Sequence, residues 1–312
     1  MTYSIVARCP DTGRLGVAVQ SHFFSVGSVV PWVEAGVGAV ATQATAEVAH
    51  GPNGLERLRA GQSPDAALGE LITADPFGET RQVGIVDSSG RAAAHTGTSC
   101  IREASHVVGD GFTTHANMME NVGVAEAMAE VFAASHGPLA ERMLGVLDAA
   151  EALGGDIRGR QSAALVVAFA EPSGNPGHDL AIDVRVDDHA DPLGELRRLV
   201  ALGQSYRRMD EAETAMTDGD LEGALAIFAD SVAAHPDSAE FAFWYAVVLA
   251  GIGRMEDAKV AIAPVFTRAD GARWRELLRR LPPTGTIPAE LADALARDDL
   301  DHLGRDEARG RR

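Results

Sequence analysis

The sequence predicts an α+β protein, with antiparallel sheets stacked inside and helices outside, followed by a small all-α helical-repeat domain. Three observations predict it. Over about residues 2 to 200 the order is strands, two helices, strands, two helices, strands, which suits stacked antiparallel layers rather than the strict alternation of a parallel sheet. From about Ser205 the pattern becomes helix alone. Within that tail Gly219 and Gly253 stand 34 residues apart, the tetratricopeptide period. The expected domains are 1–204 and 205–312.

Residues 3–8 and 15–20 are apolar strand-like runs joined by Asp11-Thr12-Gly13-Arg14, a tight-turn signal, and they read as an antiparallel hairpin. Its second strand ends at Ser21, so pairing returns Ser21 to the neighbourhood of Thr2. Residues 36–43 are rich in small residues and strand-like, ending on Gln43. Helices are expected at 52–60 and 63–74, the second with Ser63 as N-cap and Pro64 in its first turn. Strands follow at 81–86 and 91–95 around Asp87-Ser88-Ser89-Gly90, and at 106–108 and 112–116 around Gly109-Asp110-Gly111. Two helices at 122–134 and 138–153, two strands at 162–170 and 180–187, and a helix at 192–202 complete the region.

In the tail, Gly219-Asp220-Leu221-Glu222-Gly223-Ala224-Leu225 is loosely repeated from Gly253 to Lys259, and Ala212, Ala224, Ala246 and Ala258 fall where paired helices touch. Two units are fewer than the roughly three that an independent solenoid needs, so the tail is expected to pack on the first domain or on a second copy. The cluster Phe241, Phe243, Trp244, Tyr245 points to a homodimer, and the helical tail to a protein partner. One short helix is expected after Pro282-Pro283, and a frayed end at Arg309 to Arg312.

Composition narrows the function. Forty-six per cent hydrophobic residues over 312 positions supply ample core. No run approaches the ~18 apolar residues of a membrane helix, and the start lacks a signal-peptide layout, so a cytoplasmic location is expected. A net charge of -18 repels phosphate backbones and anionic membranes, which excludes nucleic acid and membrane as expected partners. Cys9 and Cys100 are too few for a disulfide framework and read as free thiols. No Walker loop or G-x-S-x-G elbow occurs, and neither metal nor cofactor is expected.

Thr2 directly follows Met1, and threonine is small enough for methionine aminopeptidase to act. Removal of Met1 would give Thr2 a free α-amine, whose ordinary pKa of about 7.7 to 8.0 suits it as the base for the neighbouring hydroxyl. Lys259 is the only lysine, so no lysine base is available in the N-terminal region. The alternative is a threonine with no such role.

The first domain resembles the DUF1028 proteins, a bacterial and archaeal group within the N-terminal nucleophile hydrolase superfamily. The resemblance rests on Thr2-Tyr3-Ser4-Ile5-Val6-Ala7, Leu15-Gly16-Val17-Ala18-Val19, Phe23-Phe24-Ser25-Val26-Gly27, the stretch 36–44, Arg81-Gln82-Val83-Gly84-Ile85-Val86, Gly159-Arg160-Gln161-Ser162-Ala163-Ala164 and Asp183-Val184-Arg185-Val186-Asp187-Asp188-His189. It implies a four-layer αββα sandwich and Thr2 at the superfamily's nucleophile position, attacking an amide carbonyl and forming an acyl-enzyme. Residues 112–118 depart from the family's tyrosine, glutamine-glycine-asparagine stretch, with Asn117 retained.

The candidate site is therefore Thr2 as nucleophile, Ser21 orienting its amine, and Gln43 or Asn117 stabilising the oxyanion, with a small amide as substrate. Ser21 could equally cap backbone in its loop, and Gln43 bond backbone at a core edge. Arg160 could clamp a substrate carboxylate or pair with Asp156 or Asp183, which places Asp183 beside it among the binding candidates. Asp187-Asp188-His189-Ala190-Asp191 reads as a strand end followed by an Asp191 N-cap rather than a metal cluster. His22, His50, His95 and His115 form no helical ligand pair and read as packing residues. The competing class is a non-enzymatic binding or scaffold protein that keeps the fold and assembles through its tail.

Overall fold

The computed structural model describes residues 2–297; Met1, whose removal the catalytic reading requires, and the end at Arg309 to Arg312 lie outside them. The described chain divides after Gly203, and the second unit begins at Gln204.

The first unit holds two antiparallel sheets. The larger has the order β10-β9-β2-β1-β8-β7, built from β1 (Thr2–Arg8), β2 (Leu15–Ser21), β7 (Ser105–Gly109), β8 (Phe112–Asn117), β9 (Ser162–Ala168) and β10 (Leu180–Val186). The smaller has the order β3-β4-β5-β6, from β3 (Pro31–Glu34), β4 (Gly38–Ala44), β5 (Arg81–Asp87) and β6 (Ala92–Thr96). Strand alternation sorts β1 between two environments. Tyr3, Ile5 and Ala7 point to an apolar cluster with α3 (Val124–Ala134), α4 (Leu139–Ala152) and the first turns of α5 (Pro192–Thr217). Val6 points the other way, with Val17 and Val19, into a cluster shared with Ala39, Ala41 and Val86 of the smaller sheet. The outer face of that sheet, through Val40, Val83 and Ile85, packs on α1 (His50–Arg59) and α2 (Pro64–Ala74). Ser63 caps α2 as expected, accepting from the Ala66 N–H at 3.3 Å.

Two elements differ from the sequence reading. β3 is a four-residue edge strand that opens on Pro31; an edge tolerates a missing N–H, and so short a run leaves no periodicity to read. α5 does not stop near Leu202 but continues to Thr217, because one internal glycine, Gly203, costs a helix only about 1 kcal/mol.

The second unit is helical: the later part of α5, α6 (Leu221–Ala234), α7 (Ala239–Gly251), α8 (Met255–Phe266), α9 (Gly271–Arg280) and α10 (Ala289–Ala296). Asp220 caps α6, accepting from the Gly223 N–H at 3.0 Å. Ala212, Ala224, Ala246 and Ala258 are all fully buried, as the helix-contact reading expects. Phe241 and Phe243 are buried inside this unit, Phe241 against Tyr206 and His235, Phe243 against Trp244 and Trp274. Among the described residues no helix is long and apolar enough to cross a membrane.

Candidate active site

Register brings the candidate residues together. Thr2 opens the interior strand β1 and pairs with Ser21 on one side and Asn117 on the other. In the facing sheet Gln43 pairs with Gln82, and Gln82 with Thr96. All of these except Thr96 are buried, Thr2 being only 4% exposed.

Thr2 Oγ1 donates to Ser21 Oγ at 3.1 Å, so Ser21 meets the hydroxyl. The Thr2 carbonyl accepts from Gln43 Nε2 and from Asn117 Nδ2, each at 3.2 Å. The same two amides also donate to Gln82 Oε1, at 2.7 and 2.8 Å. A carboxamide has two N–H protons, so all four are committed, and neither amide has one left for an oxyanion. Their work in this arrangement is to clasp the main chain of Thr2.

Backbone carbonyls fix which way each amide faces. Thr2 O pins the nitrogens of Gln43 and Asn117, while Ser105 O and Ala116 O, at 3.1 and 2.9 Å, pin that of Gln82. Proton positions follow outward. Ser4 Oγ donates to Gln43 Oε1 at 2.7 Å and so accepts from His115 Nδ1 at 3.1 Å. Gln82 Nε2 also lies 2.9 Å from Thr96 Oγ1, a third acceptor shared between its two protons, and Thr96 Oγ1 is hydrogen-bonded to His106 Nδ1 at 2.8 Å. His115 is then neutral with its proton on Nδ1. Burial holds His115 far below an ordinary histidine, at about 3, and also lowers His106.

His115 fits because β5 carries glycine opposite it: a Cβ at Gly84 would lie 1.9 Å from His115 Nε2. Backbone strain marks the same region. Ala44 follows Gln43 with φ 67°, and Met118 follows Asn117 with φ 55°. Left-handed backbone is costly for residues with a Cβ and concentrates at functional sites.

A cleft of about 520 Å³ opens at this end of the sheets, lined by Thr96, Thr98, Cys100, Arg102, Glu103 and His106 among others. Ser105 also lines it, and it pairs with Ala116, the residue before Asn117. Burial raises the half-buried Cys100 thiol. The other cysteine, Cys9, is buried and free.

Arg160 and Asp183 stand apart from this cluster. Arg160 pairs with Glu151 and Asp191, both at 3.3 Å, rather than with the Asp156 or Asp183 expected. Glu151 is the end of α4 that also accepts from Tyr3 Oη at 2.6 Å, whereas Asp156 is taken by Arg158 at 3.0 Å. Asp183 is exposed on β10, three strands from β1. Asp187, Asp188 and His189 accept from Ser25, Gln161 and the Asp191 N–H, while Asp191 caps α5 through the Gly194 N–H at 3.4 Å. Among the described residues no group of three or more His, Cys, Asp or Glu side chains is placed to hold a metal ion. Gln82 is the residue that sequence reasoning missed, and a glutamine inside an otherwise apolar strand was the available signal for it; His115, read as a packing residue, is fully buried and bonded to Ser4.

The DUF1028 family model, described as a family of unknown function, matches residues 2–196. A tetratricopeptide-repeat model matches residues 215–281. The crystal structure of protein SPO2555 from Silicibacter pomeroyi, a DUF1028 protein, is similar at 32% identity and a TM-score of 0.57, over 64% of this chain and 87% of that one. No curated protein matches the chain.

Proposed function

Because the chain belongs to the DUF1028 family, whose function is unknown, its activity has to be argued from the site, and we propose that it is an N-terminal nucleophile amidohydrolase of four-layer αββα fold, hydrolysing a small amide with Thr2. The observation that carries this reading is the clasp on Thr2. Two buried amides, one from each sheet, hold a single main-chain carbonyl at the head of β1, and the adjoining hydroxyl rests on Ser21. Such a fixed threonine suits a nucleophile that must meet its substrate in one orientation.

In this mechanism Met1 is removed and the freed α-amine takes the Thr2 hydroxyl proton as Oγ1 attacks the amide carbonyl carbon. The amine then gives that proton to the leaving nitrogen as the C–N bond breaks. Water attacks the resulting ester, releasing a carboxylic acid and restoring the hydroxyl. Ser21 orients the hydroxyl, and Gln43 and Asn117 fix its main chain. The intact mass of protein purified from its own cells tests the premise: a mass lacking one methionine supports it, and a retained Met1 overturns it.

The second reading is a non-enzymatic binding protein that assembles through its helical repeats. One observation favours it: Thr2 is buried in a closed polar network. A retained Met1 is its expected signature.

A further inference from the structure

The 520 Å³ cleft beside His106 is of the size that binds small ligands, commonly about 300 to 1,000 Å³. Its lining is polar, and its cation is Arg102, which forms neither an ion pair nor a hydrogen bond among the described residues. Arg57, Arg59, Arg81, Arg91, Arg158 and Arg160 of the same unit are ion-paired, whereas Arg8, Arg14, Arg142 and Arg185, like Arg102, form no ion pair among the described residues. An exposed, uncommitted guanidinium presents a fork of N–H donors suited to a carboxylate. His106, bonded through Nδ1 to Thr96 Oγ1 at 2.8 Å, adds an imidazole to the same wall.

The cleft is also wired to Thr2. Thr96 in its wall accepts from Gln82, and Gln82 accepts from the two amides that hold the Thr2 carbonyl. A ligand settled against Thr96 and His106 is therefore joined to the Thr2 carbonyl through three side chains, Thr96, Gln82 and either Gln43 or Asn117. We propose that this cleft is the specificity subsite of the Thr2 centre and that it takes the carboxylate of an amide substrate through Arg102, an inference that rests on the amidohydrolase reading. The carboxylate could belong to the amine half of the amide, as in an N-acyl amino acid, or to the acyl half, as in a mono-amide of a dicarboxylic acid.

The test is equilibrium binding to the full chain. The probes are N-acetylated glycine, leucine, phenylalanine and glutamine, and mono-amides of succinic acid, each as the free acid and as its neutral carboxamide. Acids are expected to bind about ten- to a hundredfold more tightly than their carboxamides. Arg102→Met should erase the preference and Arg102→Lys restore part of it. Glu103→Gln, which removes a like charge from the wall, should strengthen acid binding. Which probe series shows the preference identifies the half that carries the carboxylate. Equal affinity of acid and carboxamide, absence of binding by any acid, or a preference unchanged in Arg102→Met would each overturn the inference. Repeating the titration and a turnover assay on Thr2→Ala separates the two readings. Acid preference with hydrolysis undiminished by Thr2→Ala would overturn the nucleophile alone, and Thr2-dependent hydrolysis without acid preference would overturn the subsite alone.

Discussion

Gln43 and Thr2 lie on different sheets, yet the Gln43 amide donates to the Thr2 carbonyl at 3.2 Å. Asn117 makes the same bond from within the Thr2 sheet. Both amides then meet again on Gln82 Oε1, which closes a four-bond ring through Thr2 O, Gln43, Gln82 and Asn117. The interior between the sheets is apolar around Val6, Val17 and Ala41 but polar at the Thr2 end. Dry polar groups are tolerated only when nearly all are bonded, which makes each member sensitive to loss of another.

Gln82 is the member whose loss should be felt most. Gln82→Leu strands one N–H of Gln43, one of Asn117 and the carbonyls of Ser105 and Ala116. At roughly 1 to 3 kcal/mol for each buried group left without a partner, partly relieved by relaxation, a loss of about 3 kcal/mol is expected. Urea unfolding measures it. A loss below about 1 kcal/mol would show that the ring is dispensable to the fold.

The hydroxyl of Thr2 gives a separate expectation under the proposed function. Thr2→Ser keeps a hydroxyl beside the amine and should retain activity on any amide identified. Thr2→Ala should lower turnover by at least about 10³-fold, as removal of a nucleophile does. Ser21→Ala removes the acceptor of the Thr2 hydroxyl and should fall between them. Turnover assays on the three variants check the order.

How much of this was legible in the sequence varies from residue to residue. The turn at Asp11 to Arg14 and the two apolar runs fix the hairpin register, so Ser21 beside Thr2 follows from local pattern. Gln43 stood out because it ends an otherwise apolar strand. Gln82 did not, because its partners come from another strand of its own sheet and from the facing sheet, and no local spacing encodes that meeting. Arg160 shows the same limit. Its near-sequence acids looked adequate, but the ends of α4 and the cap of α5 supply the partners, Glu151 and Asp191. Gly84 is small for the sake of a histidine 31 positions on, a relation visible only in three dimensions.

His115 should make the fold sensitive to acid. Its pKa is about 3 in the folded chain against about 6.5 for an unperturbed histidine. Between these values the unfolded chain binds a proton that the folded chain does not, so stability falls as pH falls. The contribution is intact above about pH 6.5 and is lost progressively down to about pH 3, on the order of 5 kcal/mol in all. Carboxylates titrate in part of the same window, so the informative quantity is the difference from His115→Gln, which keeps a donor for Ser4 but does not titrate. Urea unfolding from pH 7 to pH 4 should show a steeper loss in the wild type. Parallel curves would mean that His115 is not the group responsible.

Ala44 and Met118 invite the opposite kind of change. Each holds left-handed backbone, which L residues adopt at a cost of about 1 kcal/mol or more. Ala44→Gly relieves that strain while deleting a single methyl group, at the expense of a looser unfolded chain. A net gain of about 0.5 kcal/mol is expected in thermal or urea unfolding. If strain there also sets the angle of the Gln43 amide, the gain should come with reduced turnover of an identified amide.

The contact between Gly84 and His115 supplies the last expectation, and it is a coupling rather than a single loss. Gly84→Ala would place a methyl 1.9 Å from His115 Nε2 and 2.7 Å from Thr113 Oγ1, inside van der Waals contact with a ring that is walled in on all sides. Neither β5 nor β8 is free to retreat, because each is paired on both edges. Overpacking of this kind costs about 1 to 3 kcal/mol or more. His115→Ala alone should also destabilise, by opening a cavity and depriving Ser4 of its donor. Together the two changes should cost less than their sum, since the new methyl then enters space the imidazole has left. A double-mutant cycle by urea unfolding should give a favourable coupling of at least about 1 kcal/mol. Strict additivity would mean that Gly84 is not small on account of His115.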